Sequence, residues 1–369
     1  MKKGLLFALL LIGTTVCYGV QPLVYNGDTL EWNMDWKKKQ CGTLDIKENI
    51  IEVSGIACSR VTPGYIWMQS DETAKYIIAT DEKGAKRACK LNMSKSIGWD
   101  WEDMSGGVYN GTNYLFIGSF GDNDEQRKDY RIIWFEEPAI DSVNMPVQTV
   151  TPNFIRYKYP DGKSHNNEAL MYDNLTNTIY IITKVYYNVC QVFKIPFRLD
   201  YNTSDTVTVE YVCDLGLQTD IGYGPFEGKQ LRYRGFHLVT AADISPDGKY
   251  ILIKNHNNIV AAFCWVLYWE RQEGESIDDA IKRQPQPIRA YNTNEWQGEA
   301  ICWLDDNTFY TTSDADDGNP PIFKFTRISQ DVENVSDKGK EANTLVLKGN
   351  TLFVRAKDGL YTLDGRMVK

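Results

Sequence analysis

The chain has little of what nucleic-acid-binding proteins, zinc proteins and serine hydrolases require. It contains 40 Lys and Arg against 49 Asp and Glu, a formal net charge of −9, and no basic stripe. Because phosphate contacts need clustered lysine and arginine, this balance argues against nucleic acid as a partner. There are 3 histidines and no G-x-S-x-G sequence, which argues against a Ser-His-Asp hydrolase. No Cys-x-x-Cys spacing typical of a zinc site occurs either.

The chain also lacks an apolar segment long enough to form a transmembrane helix. The apolar run Leu5–Ile12 is too short, follows two lysines and precedes small and polar residues up to Gly19. This pattern predicts a secretory signal peptide at residues 1–19. We therefore expect a secreted or periplasmic protein, with the cell surface as a further location. Lipidation of Cys17 is the alternative, although Val16 is not the small residue that usually precedes a lipidated cysteine.

Seven cysteines follow the predicted signal peptide. Export would permit disulfides, and Cys190 and Cys213 lie on two successive strand-like runs where they could form a cross-strand bridge. The alternative is that most are buried free thiols, which pack as small hydrophobic groups. The odd number leaves at least one cysteine unpaired.

Composition and local patterns predict an all-β protein. The chain has 22 Tyr and 10 Trp, and aromatic residues favour strands. Short apolar runs follow turn sequences such as Ser245-Pro246-Asp247-Gly248, in which proline and glycine favour a tight turn. One short helix is predicted around Ser276–Arg283. The clearest strand-like runs are Tyr76–Thr80, Tyr114–Gly118, Ile179–Thr183, Tyr250–Ile253 and Phe309–Thr312.

A similar phrase recurs at intervals of roughly 50 to 75 residues. A WD40-like repeat of this length, with about four strands, is typical of a β-propeller blade. We predict a single propeller domain over residues 20–369 with about six blades, and five to seven would fit the spacing. The sixth unit would lie in Leu345–Leu363, closed by strands from Leu23–Ile51, so that no sheet edge stays open. The five clear phrases are Ser54–Ala57, Glu102–Met104, Glu168–Leu170, Ala242–Ile244 and Glu299–Ile301.

The acidic residues of these phrases are the candidate metal ligands. Each phrase would form the innermost strand of a blade, so its acidic residue would face one end of the central channel. Carboxylates gathered there repel each other unless a cation or water lies between them, and oxygen ligands suit Ca²⁺ or Mg²⁺. The alternative is structural, with each acid accepting hydrogen bonds from the neighbouring blade. The predicted ligands are Glu102, Glu168, Asp243 and Glu299.

Other polar and aromatic residues near the phrases are candidates for ligand binding. Asp122 and Asn123 could supply oxygen ligands or cap a turn, and Arg127 could pair with an anionic substrate or with the local acids. Asp71 and Lys184 follow the second strands of their repeats. Indole rings stack on sugars, but they also pack between blades. The predicted ligand-binding residues are Asp71, Trp101, Asp122, Asn123, Arg127 and Lys184.

Two residues are candidates for activating water if the protein is a hydrolase. Asp103 lies beside Glu102, and His165 is the histidine nearest to the proposed channel face in sequence. Either could act as a general base beside a metal ion. For His165 the alternative is a solvated loop histidine.

The ordered phrases resemble a family of secreted bacterial β-propellers over roughly residues 50 to 325. More distantly, the chain resembles the esterase-like phytase propellers and the six-bladed gluconolactonase-type propellers. That resemblance implies a divalent metal at the channel mouth and hydrolysis of phosphate or lactone esters, but neither ligand set is matched residue by residue. The matching segments are Ser54–Ala57, Asp100–Asp103, Gly121–Asn123, Asn167–Leu170, Asp243–Gly248 and Gly298–Ile301.

Three functions follow as hypotheses. The first is a secreted, monomeric binding or scaffold propeller with a divalent cation at an acidic channel mouth, whose ligand is a small molecule, a glycan or a protein. The second is a metal-dependent hydrolase of phosphate esters, carboxylic esters or lactones. The third is a glycan-binding propeller.

Overall fold

The computed structural model describes residues 23–362, except 51, 96, 186–188, 227–228, 258–263, 289–294, 296, 315–317, 329–343, 349–350 and 357–358. The signal peptide predicted for residues 1–19 lies outside the described residues. The chain divides into two compact units, Met1–Thr326 and Arg327–Lys369. The single domain expected over residues 20–369 stays a prediction.

The all-β class is confirmed, with 56% strand and 2% helix. The predicted helix is present as a single turn, α1 (Ile277–Ala280). Ser276 caps it, because the Ser276 hydroxyl accepts a hydrogen bond from the backbone N–H of Asp279 at 3.1 Å. The strands predicted from alternating apolar runs are also present, since each run lies within one strand.

Five sheets form the blades of a propeller. The chain begins with β1 (Leu23–Tyr25), β2 (Asp28–Thr29) and β3 (Trp36–Thr43). Blade 1 follows with β4 (Val53–Cys58), β5 (Tyr65–Ser70), β6 (Tyr76–Asp81) and β7 (Arg87–Met93). Blade 2 contains β8 (Trp101–Tyr109), β9 (Thr112–Ser119) and β10 (Tyr130–Glu136); after β11 (Val147–Val150), which pairs with β7, it ends with β12 (Asn153–Lys158).

The remaining blades have the same meander. Blade 3 contains β13 (Asn167–Asp173), β14 (Thr178–Thr183) and β15 (Cys190–Pro196); after β16 (Thr206–Thr208), which pairs with β12, it ends with β17 (Glu210–Leu215). Blade 4 contains β18 (Leu217–Phe226), β19 (Lys229–Ile244), β20 (Tyr250–Asn257), β21 (Cys264–Glu270) and β22 (Gln286–Pro287), with β1 and β2 beside β18. Blade 5 contains β23 (Gly298–Asp305), β24 (Thr308–Ser313) and β25 (Pro321–Arg327).

The ring of blades closes on itself. The N-terminal strand β3 is the outer strand of blade 5, next to β25. A hydrophobic cluster that includes Ile56 and Met68 of blade 1 and Ala300 and Tyr310 of blade 5 fills the interface between the first and last blades. The propeller is therefore closed by the pairing of an N-terminal strand with the last blade and by apolar packing between the first and last blades. Its channel is surrounded by the inner strands β4, β8, β13, β19 and β23.

The predicted β-propeller is thus confirmed, with five blades, the lower limit of the expected range. The segment expected to form a sixth blade instead forms a separate antiparallel sheet in the second unit: β26 (Thr344–Lys348), β27 (Thr351–Ala356) and β28 (Gly359–Thr362). The N-terminal strand β3 completes blade 5 because β23, β24 and β25 leave the outer position of that sheet open. In blade 1 the run Tyr76–Thr80 is the third strand, since β5 is the second.

Candidate functional site at the channel mouth

A β-bulge in every inner strand places one extra residue at the same end of the channel. The register shifts at Val53/Gly55, Trp101/Met104, Asn167/Ala169, Val239/Ala241 and Gly298/Ala300. Such a bulge leaves a residue outside the ladder and redirects its side chain. The bulge residues in chain order are Ser54, Glu102, Glu168, Thr240 and Glu299.

Three of the four predicted metal ligands therefore occupy equivalent positions. Glu102, Glu168 and Glu299 come from blades 2, 3 and 5, and the charge of Glu168 raises the pKa of both Glu102 and Glu299. Asp243 does not join them, because Thr240 takes the bulge position in blade 4 and Asp243 lies three residues farther along β19. The phrase Ala242–Ile244 therefore lies beyond the bulge rather than at it. Its position was misjudged because β19 is long and begins well before the bulge.

A second set of side chains follows the ends of the second strands. Asp71, Lys184 and Asp314 come directly after β5, β14 and β24. The Lys184 Nζ lies 3.3 Å from Glu168 Oε2, and both side chains are buried. The Asp314 Oδ2 accepts a hydrogen bond from Gln297 Nε2 at 3.0 Å. These residues add two carboxyl groups and one ammonium group next to the glutamates.

Left-handed backbone precedes the inner strand in three blades. Glu52, Asp100 and Gln297 have φ values of 51°, 58° and 45°. Each lies one residue before the paired residue that starts the bulge, so the three positions are equivalent. A side chain in this region costs roughly 1–3 kcal/mol, and such strain clusters at functional sites. Glu52 and Gln297 are not among the residues predicted from the sequence, because no turn residue marks these positions.

Asp100 and Glu102 meet at Gly121. A Cβ built on Gly121 would lie 2.1 Å from Glu102 Oε1 and 2.6 Å from Asp100 Oδ2. A side chain at position 121 would therefore displace at least one of these carboxyl groups. On the other side, Asn166 Nδ2 donates to Glu168 Oε1 at 3.1 Å and to Asn123 Oδ1 at 3.1 Å. The exposed Asn123 is thereby connected to the glutamates through one amide.

Burial and repulsion keep protons on several of these carboxyl groups. Burial raises the pKa of Glu299 from 4.5 to about 8; Lys184 lowers that pKa, and the charges of Glu168 and Asp314 raise it. Burial also raises the pKa of Asp71 from 3.8 to about 6, with the charges of Asp314 and Glu168 adding to it. At neutral pH Glu299 is therefore mainly protonated, whereas Asp71 is largely ionised, and a cation bound to Glu299 would displace its proton.

The same effect extends to the neighbouring acids. Burial holds the pKa of Glu102 well above its ordinary value, and the charge of Glu168 and a side-chain hydrogen bond to it add to the shift. Burial raises the pKa of Glu52 to about 7, together with a hydrogen bond to Glu72. Carboxyl groups that share a site in this way cannot all ionise without a compensating positive charge.

Asp103 has a structural environment. Its Oδ2 accepts hydrogen bonds from the backbone N–H groups of Leu170 at 2.8 Å and Ala242 at 3.1 Å, and its Oδ1 accepts from Met104 N–H at 2.8 Å. The fully buried carboxyl group thus connects the inner strands of blades 2, 3 and 4. The water-activating role expected for Asp103 stays a prediction.

Asp243 forms a similar connection one level deeper. Its Oδ2 accepts from the backbone N–H of Trp303 at 2.8 Å, and its Oδ1 accepts from the Ser105 hydroxyl at 3.0 Å. Asp243 therefore joins blades 2, 4 and 5. These contacts match the structural alternative considered for the acidic residues.

The loop after β9 is held by Asp122 and Arg127. Asp122 accepts hydrogen bonds from the backbone N–H groups of Gln126 at 2.9 Å and Arg127 at 2.8 Å, and from the Tyr130 hydroxyl at 2.6 Å. The buried guanidinium of Arg127 donates to Gly121 O at 3.0 Å and to Ser119 Oγ at 2.8 Å. Both side chains stabilise the loop that carries Gly121 to the glutamates.

His165 and Trp101 point elsewhere. The His165 Nε2 lies 3.0 Å from Asp161 Oδ2, and the ring packs against Tyr159 with centroids 4.4 Å apart. Trp101 is fully buried in the cluster between blades 1 and 2, and its Nε1 donates to Ile97 O at 3.4 Å. Among the described residues, Trp99, directly before Asp100, is an exposed tryptophan with 54% of its surface accessible, and the sequence did not single it out.

Carboxylate and amide oxygens are suitable donors for Ca²⁺ or Mg²⁺. Within the described ranges, no three His, Cys, Asp or Glu side chains are already arranged as metal ligands. The donor chemistry therefore fits a hard cation, but the contacts of Glu168 with Lys184 and Glu102 would have to open.

Among the helices of the described segments, none has the length and apolar character needed to cross a membrane.

Solved structures similar to the chain are β-propeller-like. The PQQ-bound aldose sugar dehydrogenase of Streptomyces coelicolor shares 10% identity and a TM-score of 0.44 over 80% of this chain and 99% of that chain. A chain of the nidogen/laminin complex shares 9% identity and a TM-score of 0.38 over 73% and 74% of the two chains. A candidate 6-phosphogluconolactonase of Bacteroides uniformis shares 10% identity and a TM-score of 0.33 over 84% and 80%.

These likenesses carry no argument about the activity of this chain. No protein-family model matches the sequence, and no match was found among the curated proteins. Membership of the secreted bacterial propeller family therefore stays a prediction.

Proposed function

We propose that this protein is a binding propeller whose channel mouth takes up a divalent cation, Ca²⁺ or Mg²⁺. The observation that carries the proposal is the convergence of carboxyl groups from blades 1, 3 and 5. Glu168 and Glu299 lie at equivalent bulges, and the charges of Asp71 and Asp314 act on Glu299. A hard cation would neutralise this cluster with the oxygen ligands that it prefers.

The sign of the local charge supports a cation rather than an anion as the first ligand. The mouth gathers Glu102, Glu168 and Glu299 from three blades, while Lys184 contributes one ammonium group close to Glu168. Once these carboxyl groups ionise, a phosphate group would meet a net negative surface at an electrostatic cost, whereas a cation would compensate their charge. Among the hydrolase hypotheses, phosphate ester hydrolysis therefore needs the cation even for substrate binding.

Cation binding would be coupled to proton release. Glu299, with its pKa raised to about 8 by burial, and Asp71, with its pKa raised to about 6 by burial, must lose protons before they can bind a metal ion. Affinity should therefore rise as the pH increases from about 6 to about 8. The bound cation could stabilise the blades or hold an oxygen-rich ligand at the mouth.

Thermal unfolding tests the proposal. The midpoint is measured in EDTA and again with excess Ca²⁺ or Mg²⁺, for the wild type, Glu299→Gln and the exposed control Glu273→Gln. Binding to the native state should raise the midpoint of the wild type and of the control, by about 2.7 kcal/mol of stability at one hundred times Kd. Glu299→Gln should lose most of the rise. An unchanged wild-type midpoint with both cations would show that the proposal is wrong and that the glutamates are structural.

A neutral glycan is a second candidate ligand, favoured by Trp99. Trp99 is 54% exposed and directly precedes Asp100. The centroid of its ring lies 4.4 Å from the guanidinium carbon of Arg127. An exposed indole ring can stack on a sugar, and neighbouring polar groups can hydrogen-bond to the sugar hydroxyls. Glycan-array binding that is lost in Trp99→Ala would support this candidate. Equal binding by both proteins would contradict it.

Hydrolysis is not part of the proposal. Both carboxyl oxygens of Asp103 accept backbone hydrogen bonds, and the His165 ring contacts Asp161. If a cation binds, assays with phosphate esters, carboxylic esters and lactones become the next step.

Export also belongs to the proposal, and N-terminal sequencing of exported protein would test cleavage after Gly19.

A further inference from the structure

Two buried thiols meet where the propeller closes. Cys58 ends the inner strand of blade 1, and Cys302 lies on the inner strand of blade 5. Their Sγ atoms are 3.4 Å apart, although the residues are separated by 244 positions in sequence. The side chains are 6% and 1% exposed and belong to the apolar cluster that joins these two blades.

The cysteines that the sequence suggested as a pair have a different arrangement. Cys190 is opposite Leu215 in the ladder between β15 and β17, whereas Cys213 is opposite Val192. They are therefore offset along the two strands rather than facing each other. Cys41 donates toward Ile322 O at 3.3 Å. The close approach of Cys58 and Cys302 was not visible in sequence because it depends on closure of the ring.

We propose that Cys58 and Cys302 form an intramolecular disulfide when the protein folds in an oxidising compartment, and that this bond covalently closes the propeller. The oxidant is a disulfide donor, either a small-molecule or a protein disulfide. The thiolate of one cysteine attacks the donor and releases one thiol, which leaves a mixed disulfide. The second cysteine attacks that bond, releases the second thiol and completes the Cys58–Cys302 bridge.

Oxidation would precede the final closure of the ring. In the folded protein both sulfurs are buried, so a donor cannot reach them. Burial and the neighbouring Cys58 also raise the pKa of Cys302, which makes its thiolate scarce. The bond should therefore form while blades 1 and 5 are still apart or transiently open, and reductants should remove it slowly from the native state.

The position of the bond defines its effect. The segment between Cys58 and Cys302 includes blades 2, 3 and 4, so a crosslink would hold the two ends of the ring together even if β3 left blade 5. A long closed loop removes much conformational entropy from the unfolded chain. The oxidised protein should thus unfold at a temperature higher by roughly 5–10 °C than the reduced protein.

The test compares refolding with and without an oxidant. The chain is unfolded and reduced, then refolded either in a mixture of reduced and oxidised glutathione or in reductant alone. Remaining thiols are alkylated under denaturing conditions, and the peptides are mapped by mass spectrometry. We expect a linked Cys58–Cys302 peptide after oxidative refolding, with Cys190 and Cys213 alkylated. Alkylation of Cys58 and Cys302 in the oxidised sample would overturn the proposal.

Variants separate the bond from the packing of its side chains. In Cys58→Ala and Cys302→Ala the difference in midpoint between the oxidised and reduced samples should vanish, while Cys190→Ala should retain it. A difference that persists in both alanine variants would also contradict the proposal. If the variants fail to fold, the wild-type comparison and the peptide map still decide. Neither measurement involves a metal ion, so failure of this inference and failure of the cation proposal are distinguishable.

Discussion

Replacement of Glu299 by Gln should make the protein more stable at alkaline pH. Burial raises the pKa of Glu299 from 4.5 to about 8, so the folded state holds a proton that the unfolded state releases at lower pH. Where the folded state binds more protons, stability falls as the pH rises. The cost is absent below the unfolded pKa, grows between about 4.5 and 8, and is complete above that range.

The magnitude follows from the difference between the two pKa values. From 4.5 to about 8, the full effect corresponds to roughly 4–5 kcal/mol. Water at the mouth and proton uptake by neighbouring acids such as Asp71 reduce it, so we expect about 2 kcal/mol at pH 8.5. Glutamine preserves the shape of the protonated acid. The variant and the wild type should therefore be equally stable near pH 4.5.

Urea unfolding in EDTA at pH 4.5 and pH 8.5 measures this difference, with Glu273→Gln as the exposed control. The control should change stability by less than about 0.5 kcal/mol at either pH. A Glu299→Gln variant that is less stable than the wild type by the same amount at both pH values would refute the reasoning. Glu299 would then be a hydrogen-bond acceptor that holds blades together.

Three further predictions concern the mouth, the blade contacts and the closure of the ring. Lys184→Met removes the ammonium group 3.3 Å from Glu168 Oε2 and should tighten Ca²⁺ binding on the order of tenfold, worth about 1.4 kcal/mol, in a calorimetric titration with Lys249→Met as control. Weaker binding would instead show that Lys184 orders the glutamates. Asp103→Asn should lower the free energy of urea unfolding by roughly 2–3 kcal/mol, because asparagine has a single accepting oxygen, so its amide nitrogen leaves either Met104 N–H or the Leu170 and Ala242 N–H groups without an acceptor; exposed Asp205→Asn should have little effect. Ending the chain after Ile328 retains all four strands of blade 5, so the free energy of propeller unfolding should stay within about 1 kcal/mol of the full chain, and a larger loss would show that later residues support the ring.

Local signals in the sequence were sufficient for the strands and for the class of fold. Short apolar runs such as Ile179–Thr183 form strands that are buried on both faces, as a continuous apolar run bounded by turn residues predicts. The repeated phrase also located Glu102, Glu168 and Glu299 at one end of the channel. These positions could be placed from the sequence because each phrase lies in the same hairpin as its turn, so the strand register depends only on nearby residues.

The number of blades, the partners of the acids and the meeting of Cys58 with Cys302 were decided by tertiary structure. Strand β3 joins β25 across most of the chain, and nothing local distinguishes that pairing from a sixth blade. Asp243 resembled the other acids in sequence, yet the bulge at Thr240 places it deeper, where it binds Trp303 N–H. A sequence pattern reports the backbone conformation of its own segment, whereas ring closure and inter-blade contacts depend on residues brought together only by folding.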